Sequence, residues 1–352
     1  MLESRRWHAY ALLALAVLLA ACSGSDDEAL GDPTSTSETR STLPESTSST
    51  SSVAATTPSS DAGSAIATPP IAERLRTGAL LGMSTGLTRA ERQPRWAELE
   101  ELAGRTYDIG HVFHSWDTPI PTEDDLMHLA DGRVLMISWN GTDTREIAAG
   151  AHDDWIRSQA QAVRDLGEPV MLRWLWEMDG QRRRDWVHSG ADYVAAWNHV
   201  RDLFATVGAD NAEFVWCPNE ALFWNGGDPM PWYPGDDQVD WLCADGYNWG
   251  TSSTAADWLS FDQIFGDFYR WAAPRGLPII IGETGVGEAE PEAKAQWLRA
   301  LPDMLRTQFP EIDAVVYFDK DFTFQGHRDW RVDTSASSLE AWLAISADPW
   351  FN

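Results

Sequence analysis

Short runs of apolar and β-branched residues alternate with longer amphipathic segments over residues 74–352. The short runs have the length of buried strands, and we predict strands at 79–83, 107–113, 134–138, 170–175, 213–217, 239–244, 278–282 and 314–318. Helical spacing of the apolar positions predicts helices at 95–103, 153–166, 191–207, 261–273, 292–306 and 339–347. The pattern is therefore a strand and helix repeat with eight strands.

A strand and helix repeat demands a parallel sheet with right-handed crossovers, and eight such units predict a closed (β/α)8 TIM barrel. A doubly wound open sheet uses the same alternation and is the alternative. No Gly-x-Gly-x-x-Gly turn follows the first predicted strand, which argues against a dinucleotide-binding open sheet. The predicted domain, 74–352, has a size close to the ~250 residues of a single barrel.

The N-terminal residues have the pattern of an export signal. Arg5 and Arg6 precede an uncharged run over 9–21, which is shorter than the ~20 residues that a membrane-spanning helix needs. The run ends in Leu-Ala-Ala and Cys22, which is similar to a bacterial lipobox. We therefore predict a lipoprotein signal peptide at 1–21, lipidation of Cys22, and a position on the extracellular face of the bacterial cell membrane. Ordinary secretion is the alternative.

The next segment, 22–73, is too polar to form a core. Between positions 31 and 60, 18 of 30 residues are Ser or Thr. So little apolar surface cannot offset the entropy of ordering the chain. We predict a disordered Ser/Thr-rich tether between the lipidated Cys22 and the barrel.

Composition narrows the classes of function. The 54 acidic and 26 basic side chains give a net charge of -28, which excludes sequence-independent binding to nucleic acid. The 20 tryptophans suit a sugar-binding surface, and a Trp-rich core is the plainer explanation for any one of them. The chain lacks the His and Cys spacings of a zinc site, so we expect no metal and no cofactor. Lys294 in a helix and Lys320 beyond strand eight argue against a Schiff-base aldolase.

Active groups of a TIM barrel lie where its strands end. Alternation along strand four places Arg173, Leu175 and Glu177 on one side, and alternation along strand seven places Ile279, Ile281 and Glu283 on one side. If those sides face the interior, the two Glu carboxylates reach the mouth from opposite walls, as glycoside hydrolysis requires. Two exposed glutamates at loop starts are the alternative.

The other strand ends supply candidate substrate contacts. Asn219 can contact sugar hydroxyls, and Arg173 and Tyr247 can donate hydrogen bonds to Glu283. The remaining candidates are rim side chains that follow strands two, three, six and eight: His114, Trp116, Trp139, Trp249 and Phe318. Each of the rings is equally explained as a packed rim residue.

Several of these strand-end motifs together resemble glycoside hydrolase family 26, the family of β-mannanases and related endo-β-glycanases. They are Leu-Arg-x3-Glu-Met-Asp-Gly at 172–180, Phe-Val-Trp-Cys-Pro-Asn at 214–219, Tyr-Pro-Gly-Asp-Asp-x-Val-Asp at 233–240 with Asp-Gly-Tyr at 245–247, Pro-Ile-Ile-Ile-Gly-Glu-Thr-Gly at 278–285, and Asp-Trp-Arg-Val-Asp at 329–333. The resemblance implies a retaining hydrolase in which Glu177 is the acid/base and Glu283 the nucleophile. It also implies a polysaccharide or oligosaccharide substrate.

The chain departs from the family pattern beside the acid/base. Trp176 stands where the family has His, and Asp179 stands where it has Asn. An indole has one donor and no acceptor, so the sugar specificity stays open. Arg182, Arg183 and Arg184 then follow, either as a solvated turn with local ion pairs or as a site for an anionic sugar, because Arg matches carboxylate and phosphate geometry.

Three expectations remain, on the two cysteines of the barrel, on the oligomeric state and on an alternative function. We expect Cys217 and Cys243 to be two buried thiols, because neighbouring parallel strands rarely offer disulfide geometry; a disulfide, which an oxidising exterior allows, is the alternative. We expect a monomer that meets the membrane only through its lipid anchor. The alternative function is a non-catalytic glycan-binding lipoprotein that keeps the cleft of the barrel.

Overall fold

Eight parallel strands close into a barrel in the computed structural model, which describes residues 70–74, 78–250, 258–288, 290–323 and 328–351. Each strand pairs with the next along the chain, and the last pairs with the first. The strands are β1 (Leu80–Thr85), β2 (Ile109–His114), β3 (Val134–Trp139), β4 (Val170–Trp174), β5 (Ala212–Trp216), β6 (Trp241–Asn248), β7 (Ile279–Val286) and β8 (Ile312–Asp319). The predicted (β/α)8 TIM barrel is confirmed.

Helices follow the strands around the outside of the barrel. Within the described ranges they are α1 (Arg89–Ala103), α2 (Glu123–Ala130), α3 (Thr144–Ala148), α4 (Asp153–Leu166), α5 (Arg184–Val187), α6 (Gly190–Val207), α7 (Phe261–Ala272), α8 (Ala293–Thr307) and α9 (Ala336–Ser346). Capping fixes several of their ends: Gly167 ends α4 with a left-handed φ of 72°, and the Ser189 hydroxyl accepts from the Asp192 amide at the start of α6. In the part of the chain that the structure describes, no helix is both long and apolar enough to cross a membrane.

The apolar side chains form two layers. Inside the barrel, alternate strand residues such as Met136, Met171 and Val215 pack against one another. The residues between them face outward and pack against the helices, for example Leu172 of β4 in the same cluster as Trp197 of α6. Because side chains alternate along a strand, membership of these layers shows which way each strand residue points.

The lower end of the barrel is closed by the chain that leads into it. A short 3-10 helix, Ile71–Arg74, places the fully buried Ile71 among the first interior residues of the strands, such as Leu80 and Trp241. The Ile71 amide donates to Glu213 Oε1 over 2.7 Å. The described chain thus begins at residue 70, inside the range that we assigned to the tether. The signal peptide, Cys22 and the rest of the tether lie outside the described residues.

The interior face of β7 differs from the predicted one. Ile279 and Ile281 pack in the outer layer, whereas Ile280 lies inside the barrel. Strict alternation would then turn Glu283 outward. Instead the pairing with β6 slips by one residue, from Ala244 opposite Ile281 to Asp245 opposite Glu283. This β-bulge leaves Gly282 without a partner and turns Glu283 into the interior, as bulges beside active sites commonly do.

The expectation of two free thiols is wrong, because Cys217 and Cys243 form a disulfide. The register of β5 and β6 pairs Val215 with Trp241, so Cys217 comes directly opposite Cys243, with 4.3 Å between the Cα atoms. The disulfide follows the last residue pair of the β5–β6 ladder, Trp216 with Leu242, and an isolated bridge between Asn219 and Asp245 lies just beyond it.

Candidate active site

Arg173 is the centre of the polar network inside the barrel mouth. It lies on β4 with no exposed surface, and its Nη1 donates to both carboxylate oxygens of Asp245 over 2.6 Å. Its Nη2 donates to Glu283 Oε1. Burial disfavours the charge of Arg173, but the carboxylates of Asp245 and Glu283 outweigh it and raise the pKa of the guanidinium. Arg173 therefore stays positively charged between two acidic groups.

His111 and Ser138 hold Arg173 from the other side. Arg173 Nε donates to Ser138 Oγ over 2.6 Å, and Nη2 points to His111 Nε2 over 3.3 Å. Because a guanidinium can only donate, His111 Nε2 is the acceptor towards Arg173; the same atom lies 2.6 Å from Ser138 Oγ, and the buried His111 Nδ1 has no hydrogen-bond partner among the described residues. Burial and the charges of Arg173 and Lys320 lower the pKa of His111 well below its usual value. His111 is thus a neutral acceptor that orients Arg173.

Glu283 has fixed donors on both carboxylate oxygens. Arg173 occupies Oε1, and the Tyr247 hydroxyl donates to Oε2 over 2.6 Å. Burial, followed by the charge of Glu283, raises the pKa of Tyr247 well above its usual value, so this hydroxyl keeps its proton. Two such bonds, one of them from a cation, hold the carboxyl group of Glu283 in one orientation.

Glu177 reaches the same mouth from the loop after β4. The strand ends at Trp174. In the loop that follows, Leu175 and Glu177 have left-handed φ angles of 47° and 50°. The Glu177 amide donates to the carbonyl of Cys217 over 2.7 Å, which ties this strained loop to β5. Leu175 packs in the outer layer, so the predicted alternation through Arg173, Leu175 and Glu177 is wrong beyond Trp174.

The carboxyl groups of Glu177 and Glu283 interact with each other. Only 5% of the surface of Glu177 is exposed. Burial, together with the negative charge of Glu283, raises the pKa of Glu177 well above its usual value. Glu177 therefore favours its protonated form, while both carboxyl oxygens of Glu283 are held by donors. A buried carboxyl group that keeps its proton beside a second carboxyl group fixed in orientation is what an acid and a nucleophile need.

Two more acidic residues, Asp179 and Glu220, interact with each other near this mouth. Asp179 accepts from the Asn219 amide over 3.0 Å and from Asn219 Nδ2 over 3.2 Å. Burial raises the pKa of Asp179 and also raises the pKa of Glu220 to about 8. Asn219 is thus positioned at this mouth by a side-chain contact that the sequence does not reveal.

Trp176 and Arg183 form a stack over the site. Trp176 is fully buried, and the guanidinium carbon of Arg173 lies 5.2 Å from its ring centroid. The guanidinium carbon of Arg183 lies 4.5 Å from the same ring, and Arg183 Nη1 donates to Asn140 Oδ1 over 2.7 Å. Arg182 and Arg184 are exposed. Of the three predicted loop arginines, the structure brings only Arg183 to the site.

Aromatic side chains wall the opposite side. Tyr247 packs against Trp330 and Phe318, with ring centroids 4.9 and 5.8 Å apart. The half-buried Trp249 packs on Trp330 at 5.0 Å. The side chain of Phe113 in β2 points into the barrel, and its ring centroid lies 4.5 Å from Lys320 Nζ. Trp249 and Phe318 therefore border the mouth, and Phe113 is a wall residue that we did not predict.

Two predicted contacts point away from the carboxylates. The side chain of His114 in β2 points out of the barrel, and its Nε2 lies 3.0 Å from Asp125 Oδ1. It borders a cavity of about 190 Å³ beside Phe113 instead. Trp139 has no exposed surface, and its ring stacks on Trp116 at 4.9 Å, so it offers no face to a sugar. Strand alternation would have favoured His111 and Ser138 over these residues.

One cluster in the described residues has the donor atoms of a metal site. Cys217, Cys243 and Asp245 offer ligand atoms within 4.8 Å of one another. The two sulfurs are bonded to each other, however, and Asp245 is paired with Arg173. This set therefore has no thiolate to offer, and the chemistry of the mouth falls to the carboxyl groups.

Comparisons with known proteins identify relatives that are named as glycosidases. The chain is 34% identical over 260 residues to endoglucanase H of Acetivibrio thermocellus, a match that covers 69% of this chain and 28% of that protein. It is 28% identical over 157 residues to β-1,3-xylanase TXYA of a Vibrio species, covering 43% of this chain and 30% of that protein. The chain thus spans less than a third of these relatives. No family model matches the chain.

Solved structures show the same fold. A family 26 β-mannanase of Bacteroides ovatus matches with a TM-score of 0.56 at 16% identity, over 80% of this chain and 91% of that one. An endo-β-1,4-mannanase of Cellulomonas fimi matches with 0.58 at 17% identity, over 78% and 72%. The catalytic domain of a Bacillus endo-β-1,4-mannanase matches with 0.59 at 15% identity, over 80% and 88%. The resemblance drawn from the sequence motifs is confirmed: the chain has the barrel fold of the glycoside hydrolase family 26 β-mannanases, and its curated relatives are glycosidases.

Proposed function

We propose that the protein is a retaining endo-β-glycanase that hydrolyses O-glycosidic bonds of an extracellular polysaccharide. The observation that carries the proposal is the contrast between two buried carboxyl groups in one mouth. Glu283 accepts from Arg173 and Tyr247, whereas burial and the charge of Glu283 raise the pKa of Glu177. The named activities of the relatives are endoglucanase, β-1,3-xylanase and β-mannanase, and they support the same reaction class.

The reaction then has two steps. Glu283 attacks the anomeric carbon and forms a glycosyl ester, while Glu177 gives its proton to the oxygen of the leaving sugar. Glu177 next takes a proton from a water molecule, which attacks the anomeric carbon and releases Glu283. Two inversions retain the configuration of the sugar. Arg173 and Tyr247 orient Glu283 for attack, and His111 fixes Arg173.

The proposal is tested on the full chain with a panel of β-mannan, mixed-linkage β-glucan, β-1,3-xylan and an acidic cell-envelope glycan. Release of reducing ends is measured for the parent protein and for Glu177→Gln and Glu283→Gln. We expect each variant to lose about 10²–10⁴-fold in rate. Glu340→Gln makes the same chemical change at an exposed position of α9 and serves as the control.

The roles of the two residues are separated by azide. With an activated aryl glycoside, Glu283→Ala should yield an α-glycosyl azide, because azide replaces the missing nucleophile. Glu177→Ala should yield a β-glycosyl azide, because azide attacks the glycosyl ester. Product with inverted configuration from the parent protein would contradict the assignment of Glu283. Binding of the panel glycans without any release would favour a non-catalytic glycan receptor.

We also propose that the protein is a monomer anchored in the outer face of the cell membrane through lipidated Cys22. The support is the lipobox-like sequence that ends at Cys22. Labelling of growing cells with radioactive palmitate should mark the protein, and Cys22→Ala should abolish both the label and the membrane fractionation. An unlabelled protein in the medium would favour ordinary secretion.

A further inference from the structure

Arg183 is a buried cation in the mouth that the two-step reaction above does not use. Only 5% of its surface is exposed, although its neighbours Arg182 and Arg184 are exposed. Burial of a charge is costly unless the surroundings compensate for it. The chain has a net charge of -28 and could pair an arginine almost anywhere, so the position of this one needs a reason.

The guanidinium of Arg183 is held on several sides. It lies 4.5 Å from the ring centroid of Trp176 and 5.7 Å from that of Trp186, and its Nη1 donates to Asn140 Oδ1. Asn140 is itself fixed at the end of β3, because its Oδ1 also accepts from the Gly141 amide over 3.1 Å. Stacking and an oriented acceptor hold the planar cation in one place.

That place is beside the acid/base. Trp176, on which Arg183 stacks, directly precedes Glu177, so the stack packs against the loop that carries this carboxyl. The charge of Arg183 counteracts the rise in the pKa of Glu177 that burial and Glu283 cause. It counteracts the rise at Asp179 in the same way, where burial is again the main cause.

The other groups that act on Glu177 come from four elements. Most of them oppose its ionisation: burial is the largest influence, followed by the negative charge of Glu283. The titratable groups that interact with Glu177 are Arg173 of β4, Asp179 and Arg183 of its own loop, Asp245 and Tyr247 of β6, and Glu283 of β7. Arg173 is shared between Asp245 and Glu283, and of the two arginines that act on Glu177 the charge of Arg183 has the larger effect.

We propose that Arg183 is a positioning residue that fixes the loop of Glu177 and supplies the positive charge that keeps Glu177 ionised between the two steps, after it has given its proton to the leaving sugar. The inference rests on the proposed function, because only a double displacement requires one group to serve as acid and then as base. Without Arg183, Glu177 would remain a competent acid but would be reprotonated in more of the glycosyl ester, and a protonated Glu177 cannot act as the base. The second step would therefore suffer more than the first.

The test compares Arg183→Gln, Arg183→Lys and Asn140→Ala in the full chain, with Arg182→Gln as the matched loss of charge from the exposed neighbour. Kinetics are measured across pH on the best panel glycan and on an aryl glycoside with an activated leaving group. For Arg183→Gln we expect the basic limb of the kcat/KM profile to move to higher pH. We expect kcat to fall about tenfold or more, and KM to fall with it, because the glycosyl ester accumulates.

Arg183→Lys keeps the charge and should retain the parent pH profile, whereas Asn140→Ala should move the profile in the same direction as Arg183→Gln by a smaller amount. Mass spectrometry should detect the accumulated glycosyl ester of Arg183→Gln. An unchanged pH profile for Arg183→Gln would overturn the inference, and so would a rise in KM that is confined to the acidic glycan, which would make Arg183 a substrate contact. Failure of Glu177→Gln or Glu283→Gln to reduce activity would instead overturn the proposed function itself.

Discussion

Replacing Tyr247 with Phe tests whether the anchored state of Glu283 matters for the reaction. The substitution removes one hydroxyl and keeps the ring that packs against Trp330 and Phe318. The lost hydrogen bond is 2.6 Å long, is buried, and ends on a carboxylate. Hydrogen bonds to charged groups contribute about 1.5–3 kcal/mol. Since each 1.4 kcal/mol corresponds to about tenfold in rate, we expect kcat/KM to fall about 10- to 150-fold.

Tyr193→Phe supplies a closely matched control. Among the described residues, the Tyr193 hydroxyl is also buried and has no hydrogen-bond partner, so removing it leaves no group unsatisfied. We expect Tyr193→Phe to keep the parent kcat/KM and the parent stability. Initial rates on the best panel glycan, with thermal unfolding followed by circular dichroism, give both quantities. A loss below threefold for Tyr247→Phe in a fully folded protein would refute the claim that this bond holds the nucleophile.

Three further predictions follow from burial and packing. Because the pKa of buried Glu220 is raised to about 8, the folded state binds more protons than the unfolded state between about pH 4.5 and 8, and this contribution to stability is lost as pH rises through that window. Urea titrations should therefore show that Glu220→Gln stabilises the protein at pH 8 relative to pH 5, and an equal effect at both pH values would contradict the sign. Gly282→Ala should lower the free energy of unfolding by about 1–3 kcal/mol and remove most of the activity, because a Cβ at this position would lie 2.5 Å from Cys243 Sγ and 2.8 Å from Asp245 Oδ1. Activity like that of the parent would contradict this prediction and show that the bulge adapts. The double variant Cys217→Ser, Cys243→Ser opens a loop with a sequence separation of 26 and should lose about 3.5 kcal/mol, seen as a fall in Tm of roughly 7–14 °C that dithiothreitol reproduces in the parent alone.

The strands and long helices were predictable because their patterns are local. All eight predicted strands overlap observed ones, and α4 has the predicted bounds, Asp153–Leu166, since a Gly follows its last apolar turn. The short helices α2 and α3 were missed because fewer than ten residues hold too few periods for a pattern. Their formation depends on capping by Thr122 and Asp143 and on packing against the barrel.

The site was predictable in its residues more than in its geometry. Glu177 and Glu283 were selected on strand alternation, yet each enters the mouth because alternation fails: left-handed residues break it after β4, and a bulge breaks it in β7. Such irregularities depend on contacts with neighbouring strands and leave no periodic trace. Arg183 against Trp176 is likewise a contact across a loop, so the sequence showed the charge without showing that it is buried.

The 3-10 helix at the lower end of the barrel has a consequence for access. Ile71 enters among the first residues of the strands, whereas Glu177 follows the end of β4 and Glu283 lies in the second half of β7, so the chain joins the barrel on the side opposite the mouth. A long polymer can therefore lie across the catalytic opening without passing the segment that leads into the fold.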